Sequence, residues 1–119
     1  MYDLIIRNGT LVTPTSSFRA DLAVEGGKIA AVAQKISGPA AKEVDAAGKL
    51  VLPGAIDPHT HLAMPFGGTV SADDYYAGTQ AAVCGGTTTV FDFALQDFGE
   101  NMVDTIKRRD ALCAPDACW

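Results

Sequence analysis

His59 and His61 are the only two histidines among 119 residues. They stand two apart at the end of an apolar run, Leu50-Val51-Leu52-Pro53-Gly54-Ala55-Ile56-Asp57-Pro58-His59-Thr60-His61-Leu62. In an extended strand, side chains two apart leave from the same face, so Asp57, His59 and His61 line up on one side of a strand end. Two neutral imidazoles on one rigid element begin a site for zinc or a similar divalent ion. The plainer reading is a hydrogen-bonded histidine pair. A stable zinc site takes about four ligands, and two are evident here. Asp57 and Asp92 are either additional oxygen ligands or hydrogen-bonded structural carboxylates.

The elements that must position these residues change in kind along the chain. Residues 1–53 read as short strands of a small β domain. Tyr2 to Arg7 forms one strand, Asn8-Gly9 reads as a hairpin turn, and Thr10 to Thr13 returns from it. Ala20 to Glu25 and Lys28 to Ala33 flank a second turn at Gly26-Gly27. Glu43 to Asp45 and Lys49 to Leu52 add two more strands. After Pro53 the pattern becomes strand–helix–strand–helix. Gly54 to His59 is a buried-type strand. Ser71, with Asp74 three residues on, caps a helix from Ala72 to about Cys84, which presents Tyr76, Thr79 or Gln80, and Val83 on one stripe and ends at Gly85-Gly86. Thr87 to Phe93 is a second buried strand. Glu100 to about Leu112 is a second helix with Val103, Ile106 and Cys113 inward. Asp73, Asp74 and Lys107 to Arg109 read as ordinary helix-end charges. This order favours parallel pairing. Parallel strands need cover on both faces and neighbours on both edges, so residues 54–119 read as two β/α units of something larger. Trp119 carries no reading.

Composition narrows the classes. The chain is 48% hydrophobic and 19% charged, with a formal charge of −5. No basic patch that would track phosphates is visible, which argues against nucleic acid as a partner. No apolar run approaches the roughly 20 residues that span a bilayer, and the N-terminus lacks a signal-peptide pattern. The three cysteines, Cys84, Cys113 and Cys118, show no framework spacing and fit free thiols in a reducing cytoplasm. Cys113 and Cys118 lack the second pair that a structural zinc site would use.

Gly54-Ala55-Ile56-Asp57-Pro58-His59-Thr60-His61-Leu62 resembles the first metal-binding strand of the amidohydrolase superfamily. Met64-Pro65-Phe66-Gly67-Gly68-Thr69 and Gly85-Gly86-Thr87-Thr88-Thr89-Val90-Phe91-Asp92-Phe93 resemble its hydantoinase/dihydropyrimidinase branch. Asp3 to Gly9 and Ala20 to Ile29 resemble the small β domain that precedes the barrel in that family. Dihydroorotase-like enzymes carry an arginine soon after His-x-His-Leu, whereas Ala63, Met64, Pro65 and Phe66 follow here. Non-catalytic relatives of dihydropyrimidinase tend to lose metal ligands that this chain keeps.

The resemblance implies an α/β chain: part of a β-sandwich domain in residues 1–53, then the first two β/α units of a (β/α)8 barrel of TIM type in residues 54–119. It implies hydrolysis of the cyclic amide bond of dihydropyrimidines, hydantoins or related ureides. The cofactor implied is zinc or another divalent metal, binuclear in the family, with His59 and His61 matching two ligands of the more buried ion. Leu62, Met64 and Phe66 fall in the loop that shapes the family's substrate pocket, although such residues are as readily plain packing groups. The family's bridging carbamylated lysine, two further histidines and catalytic aspartate come from later barrel strands. Here no histidine follows His61, and the one later lysine, Lys107, sits on a helix among arginines. The expectation is therefore an N-terminal fragment, inactive alone, with no catalytic residue of its own, that self-associates or aggregates through exposed strands. The alternatives are a non-enzymatic fragment that binds metal weakly, and a subunit completed by a second polypeptide.

Overall fold

A computed structural model describes residues 1–118; Trp119 lies outside the described residues. The chain divides into two compact units, one of residues 1–53 and one beginning at Gly54.

The first unit is a five-stranded sheet built around one long strand. β1 (Tyr2–Val12) pairs antiparallel with β2 (Ser17–Glu25), which pairs antiparallel with β3 (Lys28–Ala33). The other edge of β1 is shared by β4 (Ala40–Asp45) and β5 (Leu50–Val51), both parallel to it. The Gly26-Gly27 hairpin forms as expected, with φ of +58° and +72° that L side chains rarely adopt. Ile5, Ala23 and Ile36 form the core cluster, with Ile5 fully buried. Burying such a side chain contributes about 1.5–3 kcal/mol.

Asn8-Gly9 does not turn the chain. It is an irregularity inside β1, where the pairing with β2 shifts register between Ile6 and Gly9. Asn8 sits at φ 60°; its N–H donates to the Asp21 carboxylate at 2.9 Å and its amide donates to Asp45 at 2.9 Å. A Cβ on Gly9 would stand 2.6 Å from Val51 Cγ2, so a larger residue there would have to displace the Val51 side chain on β5. The turn that returns the chain lies instead at Thr13–Ser16, closed by Thr13 N–H to Ser16 O at 2.8 Å.

The second unit runs β6 (Ala55–Thr60), β7 (Pro65–Phe66), β8 (Thr69–Val70), α1 (Tyr75–Cys84), β9 (Thr87–Asp92) and α2 (Met102–Cys113). β6 and β9 are parallel neighbours, as the strand–helix–strand order requires. β7 and β8 form a small antiparallel hairpin around Gly67-Gly68, which the sequence reading did not anticipate.

Four expectations for this unit need correction. Helix α1 is capped by Asp74 rather than Ser71: the Asp74 side chain accepts the N–H of Ala77 at 2.7 Å. Ser71 is engaged elsewhere, its hydroxyl accepting the N–H of Met64. The inner face of α1 is accordingly rotated to Tyr75 and Thr79, while Tyr76 and Val83 are exposed. In α2, Thr105 is buried, its hydroxyl bonded to Glu100 and Asn101 at the helix start, while Val103 and Ile106 are exposed. β6 and β9 are not buried strands here: Ile56 is 62% exposed and Phe91 58%, each strand having one strand neighbour among the described residues.

Candidate functional site

β6 carries Asp57, His59 and, just past its end, His61. The two imidazoles converge: His59 Nε2 and His61 Nε2 lie 2.9 Å apart. Both rings rest against Phe93, at centroid distances of 4.6 and 5.0 Å, with His61 stacked nearly parallel to it. An aromatic wall against two histidines restricts their rotation. The outer nitrogen of His61, Nδ1, meets the Met64 sulfur at 2.9 Å. A weak thioether acceptor there suits the tautomer with hydrogen on Nδ1, which frees the Nε2 lone pair.

The donor set can be tested against a metal ion. Zinc–nitrogen bonds of about 2.0–2.1 Å at a tetrahedral angle separate two ligand nitrogens by roughly 3.3 Å. The observed separation is 2.9 Å, so a small opening of the pair would admit the ion, and neutral imidazole is the right chemistry. The residues present fit two positions of such a site. Among the described residues no third histidine, cysteine or acid gathers with them.

Asp57 does not join the pair. Its Oδ1 accepts the backbone N–H of His59 at 3.1 Å. Asp92, at the end of β9, is also committed: Oδ1 accepts the Leu62 N–H at 3.3 Å, and Oδ2 accepts Tyr75 O–H at 2.5 Å and Arg109 at 3.0 and 2.7 Å. Both carboxylates follow the structural reading that the sequence left open for them. The Tyr75 phenol is raised well above the usual tyrosine range by burial and by its bond to Asp92.

Leu62, Met64 and Phe66 part company. Leu62 and Met64 are buried, while Phe66 is 81% exposed at the tip of the β7–β8 hairpin. Leu62 packs so closely on α1 that a Cβ at Gly78 would stand 2.3 Å from its Cδ2. His61, Met64, Phe66, Thr69, Val70 and Ser71 line a cleft of about 410 Å³ beside the histidine pair. Met64, Phe66 and Val70 make its lining largely apolar, with His61, Thr69 and Ser71 as the polar residues.

Sequence reasoning missed Arg109. By sequence it reads, with Lys107 and Arg108, as an ordinary helix-end charge, but its side chain is 13% exposed. It pairs with Asp92, lies 5.0 Å from the Tyr75 ring centre, and donates to the carbonyls of Leu62 and Ala63. Nothing in the run Lys107-Arg108-Arg109 marks the third residue, since its partners are 17 to 47 positions away.

A model of the amidohydrolase family matches residues 50–115. D-hydantoinase of Geobacillus stearothermophilus is 50% identical over 103 residues, 87% of this chain and 22% of that protein. Dihydropyrimidinase 1 of Caenorhabditis briggsae is 44% identical over 118 residues, 97% of this chain and 24% of that protein. A crystal structure of D-hydantoinase superposes with a TM-score of 0.90 at 47% identity, over 95% of this chain and 25% of that one. The chain thus spans about a quarter of the length of the relatives it matches.

Proposed function

Because the chain belongs to the amidohydrolase family, we propose that it carries the first metal-ligand strand of a cyclic amidohydrolase of hydantoinase/dihydropyrimidinase type. The observation that carries this reading is the convergence of His59 Nε2 and His61 Nε2 to 2.9 Å beside an apolar cleft. His59 and His61 would hold a divalent ion, zinc or a similar metal. What such an ion supplies when bound is an acidified water and a polarised amide carbonyl. The chain's own residues do the rest of the local work. Phe93 and Met64 fix the ring orientations, and Leu62 anchors the loop to α1. Met64 and Phe66 offer an uncharged wall to a small ring, a dihydropyrimidine, a hydantoin or a related ureide. No cationic side chain lines this cleft to hold a substrate carboxylate.

In this proposal residues 54–119 are the first two β/α units of a TIM-type barrel, and residues 1–53 are part of its small β-sandwich domain. We assign no catalytic residue to the chain and place it in the cytoplasm, in keeping with its three free cysteines. No helix of the described residues is long and apolar enough to cross a membrane.

A second reading is favoured by the exposed apolar strands. The unpaired edges of β6 and β9 fit a subunit completed by another polypeptide, or by a second copy of this chain. One experiment tests both readings. The zinc-loaded chain is assayed for opening of dihydrouracil and hydantoin, alone and mixed with a polypeptide carrying the remaining strands of a hydantoinase barrel. Activity only in the mixture, abolished by His59→Ala, supports the first reading and completion by a second polypeptide together. A mixture that assembles but stays inactive with every metal tried overturns the hydrolase reading.

A further inference from the structure

One polar cluster outside the histidine pair is neither solvated nor used by the reading above. Arg109 Nε and Nη2 donate to Asp92 Oδ2 at 3.0 and 2.7 Å. The same guanidinium donates to the carbonyl of Leu62, and to that of Ala63 at 3.3 Å. Asp92 returns the grip by accepting the Leu62 N–H at 3.3 Å. Both backbone groups of Leu62, the residue directly after His61, are therefore held by one ion pair. Tyr75 closes the cluster, with its ring 5.0 Å from the Arg109 guanidinium carbon and its hydroxyl on Asp92. Ala63 sits at φ 44°, a left-handed conformation that alanine adopts only when its surroundings impose it.

This segment has a consequence for the ligands. His61 precedes it, and Met64, which faces His61 Nδ1, follows it. Fixing Leu62 and Ala63 fixes where both groups stand. The planar fork makes four bonds here, two to the carboxylate and one to each carbonyl, whereas an ammonium has only three donors. We infer that Arg109, anchored by Asp92 and Tyr75, is a positioning residue that holds the turn after His61 and thereby keeps His59 Nε2 and His61 Nε2 converged. The bearing on metal chemistry rests on the reading of the pair as metal ligands; the positioning itself does not.

Two readouts test it on the whole chain. With isotope-labelled histidine, proton–proton contacts between the His59 and His61 rings are followed by NMR without metal. Zinc affinity is measured separately by titration. In Arg109→Met the ring contact is expected to be lost, and zinc affinity to fall about 10–100-fold, as for other groups that orient ligands, with far-ultraviolet circular dichroism unchanged. Arg109→Lys is expected to recover only part of both. A folded Arg109→Met that keeps the ring contact overturns the inference. If the unsubstituted chain binds no zinc through its histidines, the metal reading fails, and the ring contact still decides the positioning role. If Arg109→Met does not fold, Arg109→Lys decides: full contact and full affinity overturn the inference, and partial loss of both supports it.

Discussion

One carboxylate oxygen of Asp21, on β2, accepts the backbone N–H of Asn8 from the irregular centre of β1 at 2.9 Å. The other accepts the N–H of Ile36 at 3.0 Å and a contact from Arg7 at 3.3 Å. One buried acid thus satisfies the two backbone donors that the strand irregularity and the residue-36 loop would otherwise leave unpaired.

Those bonds, that from Asn8 first, hold the Asp21 carboxyl below its ordinary value of 3.8. A carboxylate depressed on folding contributes stability above its unfolded value and loses it as pH falls through the folded one. The thermal midpoint is therefore expected to drop from about pH 4 downward. Asp21→Asn should cost about 1–3 kcal/mol at neutral pH and flatten that acid limb. Melting curves of both proteins across the acid range check this, and an unchanged acid limb in the variant would refute it.

Gly78→Ala offers a test with an unusual sign. Alanine ordinarily gains roughly 1 kcal/mol over glycine inside a helix. Here the new methyl would meet Leu62 Cδ2 at 2.3 Å, and Leu62 is buried. Forcing such a contact costs about 1–3 kcal/mol, so the variant is expected to be no more stable than the parent and to disturb the His61 ring. A raised unfolding midpoint would show that Leu62 moves freely aside.

Zinc binding by the 119-residue chain should be weak and should need both histidines. Two ligands leave the remaining positions to water or to another molecule. Two chains pooling their pairs would make a four-histidine site, with one zinc per two chains and a metal-dependent rise in mass. Calorimetry and sizing with and without zinc measure both. A tight site that survives His61→Ala would place the metal elsewhere.

Self-association is expected without metal as well. Ile56, Val70, Phe91, Phe98 and Ile106 are among the exposed large apolar residues of the second unit, and such surfaces associate. Light scattering that reports a monodisperse monomer at high concentration would count against it.

The strand–helix–strand–helix order was legible because it rests on local signals, apolar β-branched runs and glycines at a helix end, and the parallel pairing follows from that order. The pairing of His59 with His61 was legible from spacing alone. What could not be read depends on partners distant in sequence. Asn8-Gly9 carries a hairpin signal, but Asp21, Asp45 and Val51 turn it into an irregularity within a longer strand. Asp74 and Ser71 are both good caps, and Ser71 was spent on Met64. Val103 and Ile106 have the periodicity of an inner helical face, and burial depends on what stands opposite. Arg109 looked like its two neighbours until the fold brought Asp92 beneath it.

The placement of β1 bears on how the first unit is made. Its antiparallel partner β2 follows within a few residues, so that pairing can form almost as the chain emerges. Its other edge waits for β4 and β5, with Tyr2 paired to Ala40 and Thr10 to Leu50. At ribosomal rates of about 5–20 residues per second, that edge stays open for roughly 2–8 s. During this interval the nascent protein presents Ile5 and its neighbours to whatever is nearby, so a strand made early in this unit is among the last to be enclosed.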